Sequence, residues 1–269
     1  MIYLTENNGV KFFKSDKIRS IHAFSTRLGG VSLCEHTAAL NLAFGRGDDD
    51  ETVLRNVSLF ADAVGFDGKT LISVPQIHSA DVKTVTLSDA GAGVLRTPDF
   101  SCDGYATVES GLAIGVKTAD CVPVLLEARD ERGEVIAVSA LHAGWRGTVL
   151  GIAREGVKRL ISFGASPARI FAAIGPCIHR CCYEVGEDFY NIVREKLGQN
   201  YDDKYIIKSE SGKLFADISE INKDMLLSCG VPEENIDVSP LCTCCSPDLF
   251  YSHRASRGKR GAMMSVIQK

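Results

Sequence analysis

The sequence predicts an α+β fold of layered, mixed sheets in a single domain over residues 1–269, and three observations predict it. Short apolar segments rich in branched side chains come in clusters, whereas helical periodicity appears in only a few places. Strands and helices do not alternate regularly, which disfavours a doubly wound parallel sheet. No Pro/Ser-rich linker, low-complexity tract or repeat of fixed period interrupts the chain.

Taken in order, strands are predicted near 10–13, 20–26, 71–77, 81–87, 112–127, 135–142, 170–175, 205–207 and 236–239. The segment LAIGVKTADCVPVLLE (112–127) reads as one long buried strand, and VIAVSALH (135–142) as its neighbour. The polar ARDERG between them suits a hairpin loop. Helices fit 51–64, 148–163, 186–197 and 217–229; in the second, Thr148 is a plausible N-cap, and Gly164 and Pro167 close it.

Composition excludes several classes. A chain of 269 residues with 45% hydrophobic content buries one large core or two modest ones. A net charge of −4 gives no sign of a nucleic-acid partner. No run of apolar residues is long enough to span a membrane. The N-terminus lacks the basic-then-apolar order of a signal peptide. The ten cysteines are therefore expected as thiols in a reducing cytoplasm. Oligomeric state is not legible.

Three residues carry metal chemistry: His78 in PQIHSADV, Cys121 in TADCVPVLL and His142 in LHAGWRGT. A buried Cys or a lone His is more often a core or surface residue. Together, at strand ends among Gly, Asp and Arg, they form the ligand set of a three-point zinc site with one open position, which means catalysis rather than scaffolding. A hairpin centred between Glu131 and Arg132 makes Cys121 and His142 equidistant from the turn. They then face each other with Cβ atoms ~5 Å apart. Asp120 adjoins Cys121 and is a candidate general base, although strand alternation turns it to the opposite face and a buried Asp more often bonds backbone. Asp81 has similar status. Cys177, Cys181 and Cys182, and Cys242, Cys244 and Cys245, are expected as buried thiols in loops near the site mouth rather than as a second zinc site. His179 is expected as a loop residue, and His253 beside the ligands or against substrate.

The segments FSTRLGGVS (24–32), NLAFGRGDD (41–49), PQIHSADV, KTADCVPVLL, LHAGWRGT, IGPCIHRCCYEVGEDF (174–189) and CTCCSPDLFYSHR (242–254) resemble, in order, those of the YfiH-like proteins, also called the laccase-domain or multicopper polyphenol oxidase family. HSADV departs from the HGTDV of many relatives but keeps the His. The resemblance implies a four-layer α/β/β/α sandwich with zinc at His78, Cys121 and His142. It also implies purine nucleoside cleavage: phosphorolysis of adenosine, inosine, guanosine or methylthioadenosine, and deamination of adenosine. Bacterial relatives imply an alternative, amidohydrolysis of a UDP-N-acetylmuramoyl amino acid, and the older name implies copper-dependent phenol oxidation.

The residues rank these possibilities. Six His, none in a His-X-His pair, cannot furnish a multicopper centre, so zinc is favoured over copper. A Cys/His₂ zinc site activates water, which suits hydrolysis and deamination. Phosphorolysis also needs positive groups for phosphate, and Arg27, Lys117 and Arg146 lie in the matching segments. Arg27 also reads as a solvated residue of a Gly-rich turn, and Arg146 as stacking on Trp145. Gln76 shares a face with His78 if the segment is extended and is a candidate to hold a base or orient a ligand. The expected partners are thus a small-molecule nucleoside and phosphate, and Cys121 is placed in the catalytic centre. A zinc- or thiol-based redox sensor is the reading from a different class.

Overall fold

The computed structural model describes residues 1–269. Its first sheet is wholly antiparallel, in the order β1 (Ile2–Asn7), β2 (Val10–Ser15), β3 (Ile21–Ser25), β14 (Met263–Gln268) and β6 (Ala113–Thr118). The second is mixed: β13 (Ile236–Val238), β9 (Ile170–Ile174), β7 (Val122–Arg129), β8 (Val135–Ala143), β5 (Gly104–Thr107) and β4 (Val82–Thr84), with parallel pairs at both edges. A small third sheet joins β10 (Glu184–Val185), β12 (Leu214–Ala216) and β11 (Ile206–Lys208). The helices are α1 (Asp50–Val64), α2 (Trp145–Val149), α3 (Ile152–Ser162), α4 (Glu187–Leu197) and α5 (Ile218–Ser228).

Side-chain alternation stacks these elements into four layers. In β7, Val122, Val124, Leu126 and Ala128 join the apolar cluster shared with α3 and α5, while Leu125 points into the cluster between the two sheets. In β14, Met263 and Ile267 face that middle cluster, and Met264 and Val266 face α1 through Phe60 and Val57. Three apolar clusters therefore separate helix, sheet, sheet and helix, as the resemblance implied.

Several sequence expectations need correction. The 112–127 segment is two strands in different sheets. The chain breaks at Asp120, whose φ of 92° lies in the left-handed region, so Cys121 sits at the crossover between the sheets and not within a ladder. The hairpin register is shifted by two: His142 pairs with Pro123, and Val122 with Ala143. The cause lies in the turn, where Asp130 Oδ1 accepts from the N–H groups of Arg132 and Glu134, which moves the turn centre toward Gly133, and a bulge at Ala128/Arg129 absorbs the difference.

The helix expected over 148–163 is split by Gly151 at φ 90°, and Thr148 lies inside α2, where its hydroxyl accepts from Asn222 Nδ2 at 2.9 Å instead of capping. Residues 71–77 form no strand beyond an isolated bridge at Ile72. Conversely β1, β5, β10, β12 and β14 lie outside the predicted strands. The short, Gly- and Ala-containing β5 is a strand because β4 and β8 flank it.

Candidate metal centre and active-site cleft

The three predicted ligands come together. One donor atom each from His78, Cys121 and His142 lies within 4.8 Å of the others, and the two imidazoles meet edge to face with centroids 4.9 Å apart. His142 is buried at the end of β8, Cys121 is half-buried at the sheet crossover, and His78 is exposed on a loop. Glycine is required beside them: a Cβ on Gly144 would lie 2.6 Å from His78 Nδ1, and one on Gly147 2.4 Å from the Ser79 carbonyl oxygen. The glycines of HAGWRG thus let α2 start against the ligand loop.

Asp103, which the sequence reading missed, organises the centre. Its fully buried carboxylate pairs with His142 Nδ1 at 2.8 Å and accepts from the N–H groups of Ile77, His78 and Ser79 and from the Ser79 hydroxyl. One anion therefore fixes the backbone of one ligand and the ring of another, and leaves Nε2 of His142 free for a cation, the usual arrangement behind a metal-bound histidine. Burial raises the Asp103 pKa, but the bonds from His142 and Ser79 outweigh it and hold the group at about 2. Burial alone would depress His142; the neighbouring Cys121 and Asp103 reverse this and raise it to about 9. His78 is lowered, by burial first and then by His142. A soft sulfur, two imidazoles and a buried anion behind one of them fit a thiophilic divalent cation. An Asp between apolar strands, in SCDG, was the available signal.

The other candidates separate into those at the site and those that hold it. Asp120 is buried and its carboxylate is spent structurally: it accepts from the Thr243 hydroxyl at 2.6 Å and the Arg254 N–H at 2.7 Å, which stabilises the left-handed turn before Cys121. Gln76 pairs both ends of its amide with the backbone of Lys117, at 2.8 Å each, and so ties the ligand loop to β6. Arg27 is turned to the Ala38 and Pro247 carbonyls and lies over Tyr251, and it is not among the residues lining the cleft. Arg146 is exposed and stacks on Trp145 at 4.5 Å, within electrostatic reach of His78. Asp81 is exposed beside Lys83. His253 lines the smaller of two clefts at the centre. Of the cysteines expected to be buried, Cys177 and Cys242 are, whereas Cys181 and Cys245 are exposed.

Two clefts open onto the ligands. The larger, about 450 Å³, brings Arg46, Lys117 and Arg260 to His78, Cys121 and His142. The smaller, about 290 Å³, is walled by Trp145, Tyr183, His253 and Arg254 and shares His78 and Cys121. Lys117 Nζ donates to the Ser73 carbonyl at 2.8 Å, and Arg260 Nε is buried without a partner. Arg46 lies in NLAFGRGDD, one of the matching segments, and that was the available signal for it, whereas Arg260 lies outside those segments and carries no motif that separates it from a solvated surface arginine.

A family model described as "Multi-copper polyphenol oxidoreductase laccase" matches residues 21–269. The chain belongs to that family. Within it, the chain is 34% identical over 251 residues to the purine nucleoside phosphorylase YlmD of Geobacillus stearothermophilus, covering 92% of this chain and 89% of that one. It is also 34% identical to the adenosine deaminase RL5 of an unidentified prokaryote, covering 93% and 94%. The crystal structure of the Bacillus licheniformis hypothetical protein YfiH superposes with a TM-score of 0.88 at 32% identity, covering 98% of each chain. Both of these relatives are named for enzymes that act on nucleosides. The imidazoles do not gather into the His-rich cluster a multicopper centre needs: His22 bonds Ser15 and Ser20, His36 bonds the Arg46 carbonyl, and only His78 and His142 of the six His meet. No helix is long and apolar enough to cross a membrane, and all ten cysteines are free.

Proposed function

We propose that this protein is a zinc-dependent purine nucleoside enzyme that phosphorolyses nucleosides such as adenosine, inosine, guanosine or methylthioadenosine and deaminates adenosine. The observation that carries the reading is the convergence of Arg46, Lys117 and Arg260 on the cleft that ends at His78, Cys121 and His142. His78, Cys121 and His142 would hold the zinc. When bound, that ion supplies Lewis acidity and lowers the pKa of water to about 7.

The chain's own residues account for the rest. Asp103 keeps the His142 ring oriented with Nε2 toward the cleft. Lys117 has protons to spare after its bond to Ser73, and Arg260 Nε lacks a partner, so both have capacity for a phosphate oxygen. Phosphorolysis then breaks the bond between the base nitrogen and the sugar carbon, forms a bond from phosphate oxygen to that carbon and returns a proton to the base. Deamination replaces the exocyclic amine of adenosine by water oxygen and releases ammonia. The apolar, aromatic wall of the smaller cleft, with Trp145 and Tyr183, suits a flat base.

Chromatography of products across a phosphate titration tests this. Phosphate is expected to redirect adenosine from inosine to adenine and ribose 1-phosphate, and Cys121→Ala to abolish both products together with zinc at this centre. In Lys117→Met the phosphate KM is expected to rise at least ~10-fold, the loss of one charge-assisted contact, with zinc retained. A product ratio indifferent to phosphate would sink phosphorolysis and leave a deaminase or hydrolase. Full zinc occupancy of this centre in Cys121→Ala would sink the ligand assignment.

A further inference from the structure

Four cysteines outside the cleft converge on one point. The sulfurs of Cys181, Cys182, Cys242 and Cys245 all lie within 4.8 Å of one another. Cys245 Sγ is 3.5 Å from Cys181 Sγ and 3.3 Å from Cys182 Sγ. They come from two loops held side by side by a bridge between Cys177 and Cys242, with the Thr243 N–H donating to the Cys177 carbonyl at 2.9 Å. Adjacent cysteines in a strand would point apart. Cys181 and Cys182 instead lie in a turn closed by the Cys182 N–H on the His179 carbonyl, which brings both sulfurs to one side.

The spacing matches a tetrahedral ion better than a covalent bridge. Four thiolates ~2.3 Å from a central zinc stand ~3.8 Å from one another. A disulfide joins sulfurs at ~2.05 Å and only in pairs, which leaves the convergence of four without a reason. Cys242 and Cys245 have the C-x₂-C spacing of a zinc turn, hidden in the sequence by Cys244 between them. Beside that turn the His179 N–H donates to Cys242 Sγ at 3.5 Å. N–H donors around a sulfur stabilise a thiolate ligand.

We propose that Cys181, Cys182, Cys242 and Cys245 bind a structural Zn²⁺ in a closed four-thiolate site, separate from the centre at Cys121. With four protein ligands it has no open position, so its role is to staple. Ile178 and Tyr183, from the loop that carries Cys181 and Cys182, line the smaller cleft. Cys182 precedes Tyr183, Thr243 bonds Asp120, and Arg254 bonds the Cys182 and Glu184 carbonyls at 3.2 and 3.0 Å while its N–H bonds Asp120.

Zinc content of the full chain purified under reducing conditions tests this without reference to activity. The wild type is expected to hold one more equivalent than Cys245→Ser, a change at an exposed side chain. Cys121→Ala is expected to keep that equivalent, and its cobalt-loaded form to show the intense visible bands of a tetrahedral four-thiolate site. In the wild type, Cys181, Cys182, Cys242 and Cys245 should resist alkylation until zinc is chelated, a readout that needs no variant. Equal zinc in Cys245→Ser and wild type would overturn the proposal. So would equal alkylation of the four thiols before and after chelation, or a disulfide from Cys245 to Cys181 or Cys182 in the freshly reduced protein.

Discussion

At the residue scale, Asp103 connects the His142 ring to the backbone of His78, and its loss is distinguishable from loss of a ligand. Asp103→Asn keeps an acceptor for part of the Ile77–Ser79 backbone but removes the anion behind His142. Chelator competition is expected to show zinc affinity at the Cys121 centre falling by ~10–100-fold; unchanged affinity would mean that His142 is oriented by β8 packing alone. Lys117 gives a pH signature. Burial, and then the charge of Arg46, lowers its pKa to about 8. It is a cation below that value and loses its charge as pH rises through it, so the phosphate KM is expected to climb with pH above about 8. In Lys117→Met the KM is expected to be high already and flat across the same range. A wild-type profile that stays flat would remove Lys117 from the phosphate contacts.

At the element scale, the β7–β8 hairpin sets the direction of His142. Side chains alternate along a strand, so one residue inserted within 135–141 turns His142 from the cleft toward the opposite face. Zinc at the Cys121 centre is expected to be lost. Shortening the loop by two residues at Glu131–Arg132, ~20 Å or more from the ligands at ~3.3 Å per strand residue, is expected to leave zinc content and kcat unchanged. The reverse pattern in metal analysis would show that the ligand is positioned by something other than this pairing. β5 matters in the same way: the Asp103 carbonyl, just before it, accepts the His142 N–H at 2.7 Å, so the register of β5 on β8 aligns the carboxylate with the ring.

At the scale of the whole molecule, the centre depends on the two sheets meeting closely. Gly175 follows β9 in one sheet, and a Cβ there would lie 2.2 Å from Phe24 Cδ1 of the other, whose ring is buried. Its φ is unremarkable for any residue, so the constraint is space between layers and not backbone freedom. Gly175→Ala is expected to cost about 1–3 kcal/mol, which lowers Tm by several degrees in a chain of this size, read by thermal denaturation. A wild-type Tm would mean that the inter-sheet cluster yields at Phe24.

The sequence by itself determined the layered α+β class, most strands and helices, and the choice of His78, Cys121 and His142 as the candidate metal group, because periodicity and donor chemistry are local properties of the chain. Its six imidazoles, with no His-X-His pair, also weighed against a multicopper centre. Only the tertiary structure decided what non-local packing controls. Asp120 and Gln76 became structural anchors, Arg27 was drawn to Ala38 and Tyr251, and the hairpin slipped by two residues because Asp130 captured its turn. The same packing set Asp103 behind His142, brought Arg46 and Arg260 to the cleft and drew four cysteines from distant loops to one point. Hydrophobic alternation fixes which face of a strand is buried. Which distant side chains then share that space depends on how the two sheets stack, a relation that no window of sequence contains.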